Sequence, residues 1–146
     1  MVWLLAGLAL LSGSVLPVQA AFNSRMASTL GGPVLGALVS VLVSTCTLVL
    51  YVLLSRQHLA LGALRSVPAL AWLGGVLGVF YLVVVIMATP RLGAALTFSL
   101  VVAGQLVVAL AVDRFGLLGL PVRPVSPVRL LGLALVLGGA LLIRFF

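Results

Sequence analysis

From Pro33 to Leu54 the chain reads PVLGALVSVLVSTCTLVLYVLL, a run of about 20 residues without a charged side chain. As an α-helix, which rises about 1.5 Å per residue, such a run crosses the roughly 30 Å hydrocarbon core of a bilayer. A lipid-facing barrel strand would instead alternate in polarity over about 10 residues. The run therefore predicts a transmembrane helix.

Four more apolar runs of similar length occur, separated by charged residues, prolines and glycine clusters. The five predicted spans cover 2–22, 33–54, 67–89, 92–112 and 128–145, with connections at 23–32, 55–66, 90–91 and 113–127. Because the connections are short, successive helices should be antiparallel neighbours. The sequence thus predicts an all-α membrane protein with five transmembrane helices, forming a single integral membrane domain over 1–146.

The composition excludes a water-soluble fold. Of the 146 residues, 64% are hydrophobic and only 6% are charged, whereas a soluble domain carries about 25% charged residues on average. The net charge of +7 arises from eight arginines and a single acidic residue. The arginines lie scattered near the ends of the apolar runs, where they can reach headgroup phosphates. We therefore expect contact with membrane lipid and no nucleic-acid binding.

Residues for catalysis or metal binding are too few to form a site. The chain has one cysteine, one histidine and one acidic residue, which lie on separate segments. Cys46 lies within an apolar run, where a packing role is expected. These residues make no convincing catalytic triad or metal site. We predict that the protein is no enzyme and holds no metal or cofactor.

The first span contains a pattern typical of a signal-peptide cleavage site, Val18-Gln19-Ala20 followed by Ala21. Cleavage there would leave four spans. No positively charged segment precedes the apolar run, and the run is longer than an ordinary signal core. An uncleaved first helix is therefore favoured.

The arginines also bear on orientation. Five arginines fall on the side of the N-terminus, namely Arg56, Arg65, Arg114, Arg123 and Arg129. Three fall on the opposite side, namely Arg25, Arg91 and Arg144. The positive-inside rule favours a cytoplasmic N-terminus only weakly at so small a difference. Insertion in both orientations therefore stays open.

Uncharged polar side chains inside the spans are the candidate binding residues. Gln105 lies near the middle of the fourth span, and Thr97 shares its face two turns earlier. A carboxamide there should meet protein, water or a ligand, and an interhelical hydrogen bond of about 1 kcal/mol is the alternative. Gln19 and Asn23 share a face of the first span, which Pro17 should bend. For this pair the alternative is simple contact with interfacial water.

Small residues form stripes at helical spacing on the second and third spans. The members are Gly36, Ser40, Ser44, Thr47 and Tyr51 in the second span, and Gly74, Gly78, Tyr81 and Val85 in the third. Such stripes are typical of closely packed helix pairs. Tyr81 is the candidate exception, because a buried phenol needs a partner and offers a π face.

The single acidic residue, Asp113, directly precedes Arg114 at the end of the fourth span. At a membrane boundary, a solvated or locally paired structural role is favoured over a proton relay. A transport mechanism based on a carboxylate inside a span therefore lacks its carboxylate.

Five sequence blocks occur in order along nearly the whole chain. They are PVQAAFN at 17–23, LGGVLGVFY at 73–81, ATPRLGAA at 88–95, GQ at 104–105 and DRFG at 113–116. Together they resemble the YdcZ-like family, a five-helix branch of the drug/metabolite transporter (DMT) superfamily.

The resemblance implies a half-transporter in the inner membrane of a bacterium, with a small-molecule substrate bound near the midplane between two opposed subunits. It implies an antiparallel homodimer or a heterodimer with a paralogous five-helix subunit. Carried over by position, the substrate-binding residues are Gln19, Asn23, Tyr81 and Gln105, and Asp113 is a boundary or gating residue. The first-helix glutamate of the related four-helix multidrug branch is missing, so proton coupling and cationic drug specificity are not carried over.

Two functions are therefore predicted as alternatives. The first is an inner-membrane secondary transporter that moves a small solute by alternating access as an antiparallel dimer. The second is a non-transporting membrane subunit or scaffold, whose small-residue stripes only bind other helices in a closed, dry bundle.

Overall fold

The computed structural model describes residues 2–58, 60–117 and 120–145. The α-helices are α1 (Val2–Leu30), α2 (Pro33–Leu54), α3 (Leu73–Leu92), α4 (Ala94–Phe115) and α5 (Pro127–Phe145), and 3-10 turns occur at Leu61–Ser66 and Ala69–Trp72. These described ranges contain no β-strand. All five helices are long and apolar enough to cross a bilayer. The predicted all-α fold with five transmembrane helices is confirmed.

Helix α1 extends beyond the predicted end of the first span. The sequence predicted a connection at 23–32, but the helix passes through Pro17 and continues to Leu30. No glycine or proline follows Pro17 until Gly31, so nothing in the chain ends the helix earlier. Gly31 has a φ of 90°, and the N–H groups of Gly31 and Gly32 both donate to the Ala27 carbonyl, at 3.1 and 2.9 Å. This glycine C-cap turns the chain into α2.

The residues divide into two compact units, Met1–Arg91 and Leu92–Phe146. In the first unit, α1 and α2 approach closely through small residues. A Cβ built on Gly36 would lie only 2.8 Å from the Ala27 Cβ. Ile86 of α3 completes a small buried cluster with Ala27 and Ala37. The predicted α2 stripe therefore packs at Gly36 and Ser40, whereas its members Ser44, Thr47 and Tyr51 are exposed.

Helix α3 starts and ends later than the predicted span. It begins at Leu73 after the second 3-10 turn and passes through Pro90 to Leu92. The predicted break at 90–91 is wrong, because the turn lies at Gly93, where φ is 80°. That left-handed conformation favours glycine, which has no Cβ to clash with the backbone. The predicted tight packing at Gly74 and Gly78 is not seen, since no described atom lies within 4 Å of a Cβ built at either position.

Pro90 leaves one carbonyl of α3 without its helical donor, and another helix supplies the replacement. A proline lacks the N–H that would bond the carbonyl four residues earlier, which here belongs to Ile86. The Ser24 hydroxyl of α1 donates to this Ile86 carbonyl at 3.2 Å. The bond therefore holds α1 against α3 at the position where α3 would otherwise carry an unsatisfied acceptor.

In the second unit, α4 and α5 pack against each other. Ala103 of α4 and Ala140 of α5 are both 3% exposed. Helix α4 ends at Gly116, which has a φ of 59°. A Cβ on Gly116 would lie 2.6 Å from Val122 Cγ2, and the Arg123 N–H donates to the Asp113 carbonyl at 2.8 Å. The connection thus folds back onto the end of α4.

Replacing Gly36 with alanine should separate α1 from α2. The added methyl group would overlap Ala27, and overpacking of this kind costs about 1–3 kcal/mol. Gly7→Ala is the control, because the structure describes no atom within 4 Å of a Cβ at that position. SDS titration of the purified protein in mixed micelles would measure both free energies of unfolding. Equal stability of the two variants would contradict the close contact.

The Ser24 bond predicts a non-additive pair of substitutions. Ser24→Ala should destabilise the protein by about 1 kcal/mol, because the Ile86 carbonyl loses its donor. Pro90→Ala restores a backbone N–H at position 90, so the same Ser24 substitution should have almost no effect in that background. A double-mutant cycle of unfolding free energies measures the coupling.

Ser28→Ala is the matched control for this cycle, since the Ser28 hydroxyl donates within its own helix to the Arg25 carbonyl at 2.7 Å. Its effect should be the same with and without Pro90. Additive effects of Ser24→Ala and Pro90→Ala would show that the hydroxyl does not replace the missing donor.

Candidate functional site

Asn23 lies on the face of α1 that packs inside the first unit, with Ala20 and Ala27 one turn away on either side. Its side chain is only 4% exposed. Among the residues that the structure describes, Asn23 Nδ2 is the one buried side-chain polar atom without a hydrogen-bond partner. An amide with two N–H donors is thus held away from solvent and lacks an acceptor. The alternative that Asn23 simply meets interfacial water does not match this burial.

The helix register identifies the part of α2 that faces Asn23. Gly36 lies against Ala27, and in an antiparallel pair the next turn places position 40 opposite position 23. Ser40 is 8% exposed. One turn further, Ser44 is exposed, and its hydroxyl donates to the Ser40 carbonyl at 2.9 Å. The small-residue stripe predicted a packing role for Ser40. Its position opposite a buried amide follows only from the pairing of α1 with α2.

The other predicted residues of the first unit are more open. Gln19 is exposed one turn before Asn23, and Tyr81 is half-buried on α3. Gln19 and Asn23 therefore share a helix face, as predicted, yet differ strongly in burial.

A cleft of about 590 Å³ lies in the first unit beside the turn between α1 and α2. Its lining includes Ser24, Ser28, Pro90 and Arg91, together with small and apolar side chains. The Arg91 guanidinium donates to the Met87 carbonyl at 2.8 Å. Sequence patterns did not indicate this cleft, because its polar members lie near helix ends, where hydroxyls and arginines are common.

In the second unit, the predicted pair on α4 is divided by burial. Thr97 is 3% exposed, and its hydroxyl donates to the Gly93 carbonyl at 2.7 Å. Gln105 is exposed on the same helix. In a bilayer, an exposed carboxamide near the middle of a span is unfavourable unless protein, water or a ligand covers it.

Asp113 forms an ion pair that the sequence did not indicate. Its carboxylate lies 3.5 Å from the guanidinium of Arg129, at the start of α5. The sequence favoured local pairing or solvation next to Arg114, whereas the observed partner comes from the following helix. Asp113 and Arg129 both line a cleft of about 440 Å³ between α4 and α5. The pair is partly exposed, so its contribution to stability is small, about 0–1 kcal/mol.

Among residues 2–58, 60–117 and 120–145, no group of three or more His, Cys, Asp or Glu side chains could hold a metal ion. Apart from Arg91 and the Asp113–Arg129 ion pair, the polar groups described above are neutral amides and hydroxyls, which form hydrogen bonds without a change of charge. What they can do chemically is bind and orient a polar molecule.

Five apolar helices of spanning length define a multi-pass membrane protein. The particular family follows from a family model described as "Putative inner membrane exporter, YdcZ", which matches residues 4–142. The chain belongs to this DMT_YdcZ family, as the sequence blocks predicted. It is therefore a multi-pass inner-membrane protein of the transporter class. No curated protein and no solved structure matches the chain.

Proposed function

We propose that the protein is a secondary transporter that moves a small polar solute by alternating access as an antiparallel dimer. The observation that carries this proposal is the buried, unpartnered amide of Asn23 inside an apolar helix. A buried donor without an acceptor costs about 1–3 kcal/mol. A protein that only needs to fill space would have an apolar side chain at this position.

Four side chains have assigned roles in the proposed binding of the solute. Gln19, Asn23 and Gln105 donate and accept hydrogen bonds, and the phenol of Tyr81 shapes the pocket. Asp113 acts at the membrane boundary, where its pairing with Arg129 links the end of α4 to the start of α5.

A second copy of the chain would cover part of the helix surface that is exposed within one chain. Only 6–17% of each spanning window is buried within one chain. Gly74 and Gly78 form a small-residue surface on α3 that no described residue covers within 4 Å. Surfaces of this kind allow close helix contacts in membranes. A dimer would also shield the exposed amides of Gln19 and Gln105 from acyl chains.

Gln105→Ala should reduce transport at least about tenfold, which corresponds to the loss of one hydrogen bond of about 1.4 kcal/mol to the solute. Expression and dimer formation should not change. The measurement is uptake into proteoliposomes of a solute identified by a metabolite screen of a deletion strain. Gln57→Ala is the matched control, because it removes an exposed amide outside the predicted spans. Full activity of the Gln105 variant would remove this residue from the site.

In an antiparallel homodimer, the connection after α2 lies on one side of the membrane in one copy and on the other side in its partner. Cys46, which is exposed on α2, is the chain's single cysteine and would first be replaced with alanine. Gln57→Cys then places a thiol in the connection after α2. In right-side-out vesicles, a membrane-impermeant maleimide should label about half of these thiols, and the rest should react only after permeabilisation. All-or-none labelling would contradict the homodimer.

A further inference from the structure

The buried Asn23 atom without a partner, Nδ2, is a donor, and this restricts which groups can satisfy that atom. Asn23 Nδ2 carries two N–H groups and cannot accept a hydrogen bond. A solute that satisfies it must therefore present an acceptor, such as a carbonyl or carboxylate oxygen. An ammonium group has no acceptor and cannot fill this role.

The charges of the chain point in the same direction. A cationic solute in a dry site needs a nearby carboxylate to offset the loss of hydration. The sequence has a single acidic residue, Asp113, and its carboxylate pairs with Arg129. The first unit, which contains Asn23, has no acidic side chain at all in its sequence. A neutral or anionic oxygen acceptor meets no such electrostatic obstacle there.

We propose that the transported solute carries a carbonyl or carboxylate oxygen that accepts hydrogen bonds from Asn23 Nδ2, and that Ser40 is a second solute-binding residue. This inference rests on the transport function proposed above. The helical repeat counted from the Gly36–Ala27 contact places Ser40 on the turn of α2 that faces Asn23, and Ser40 is itself buried. Its hydroxyl can donate to a second lone pair of the same oxygen or to the second oxygen of a carboxylate.

Asn23 Nδ2 has no acceptor among the described residues, and a buried donor without an acceptor is unfavourable by about 1–3 kcal/mol. A solute oxygen that reaches Nδ2 removes this penalty. Ser44 is the contrasting residue, because it is exposed and its hydroxyl is already bonded to the Ser40 carbonyl.

The first test needs no solute. Asn23→Leu keeps the branching of the side chain and removes both polar atoms. If the amide is unsatisfied in the empty protein, this variant should be more stable, with an unfolding equilibrium constant about tenfold lower. SDS titration of the purified, solute-free protein measures this. A less stable variant would mean that the amide already has a structural partner, and it would overturn the proposal.

The second test uses three small probes at equal concentration: acetamide, acetate and ethylammonium. Acetamide and acetate should raise the melting temperature of the wild-type protein in nanodiscs, whereas ethylammonium should not. The shift should disappear in Asn23→Leu, shrink in Ser40→Ala and persist in the control Ser44→Ala. The proposal would be overturned if ethylammonium raised the melting temperature, if none of the three probes raised it, or if acetamide and acetate raised it equally in Asn23→Leu.

These outcomes separate the two proposals. An ethylammonium-specific shift would refute the acceptor chemistry and leave the transport function intact. If the wild-type protein transported no solute in proteoliposomes, the transport function itself would be refuted. An effect of Ser44→Ala equal to that of Ser40→Ala would remove Ser40 from the site.

Discussion

Hydrocarbon is the solvent for most of this chain, and it requires every backbone N–H and C=O to find a partner within the protein. The α-helix meets this requirement locally, which is why all five apolar runs are helical. The requirement is most visible at Pro90, where the missing N–H is replaced by the Ser24 hydroxyl from another helix. A local defect in α3 is thereby converted into a contact between α1 and α3.

Most hydroxyls in the helices follow the same rule. Ser44 and Thr97 each donate to the carbonyl four residues earlier, so they add no free polar group to the apolar surroundings. The amides behave differently, because a carboxamide has more donors and acceptors than its own helix can satisfy. Asn23 is buried without a partner, and Gln19 and Gln105 are exposed. These are the groups that we propose contact a solute or a second subunit.

Helix contacts within the chain depend on small residues at particular points. Gly36 allows α2 to approach Ala27 closely, and the helical repeat counted from this contact predicts that Ser40 lies opposite Asn23. Gly74 and Gly78 have the same spacing of small residues, yet no described neighbour fills the space beside them. The sequence motif alone therefore does not tell an internal helix contact from a surface that is free within one chain.

The sequence by itself determined the solvent and the helix count, because about 20 consecutive apolar residues have one stable structure in a bilayer. Five ordered sequence blocks indicated the family. It also located the amides, whose polarity stands out against apolar neighbours. The end of α1 and the turn after α3 were predicted too early, although two local glycines, Gly31 and Gly93, mark these positions. The sequence could not determine the pairing of Asp113 with Arg129 or the replacement of the Pro90 donor by Ser24, because both depend on which groups meet between two helices. Tertiary structure alone decides whether an amide such as Asn23 is buried without an acceptor, because hydrogen-bond satisfaction depends on the position of the neighbouring helix.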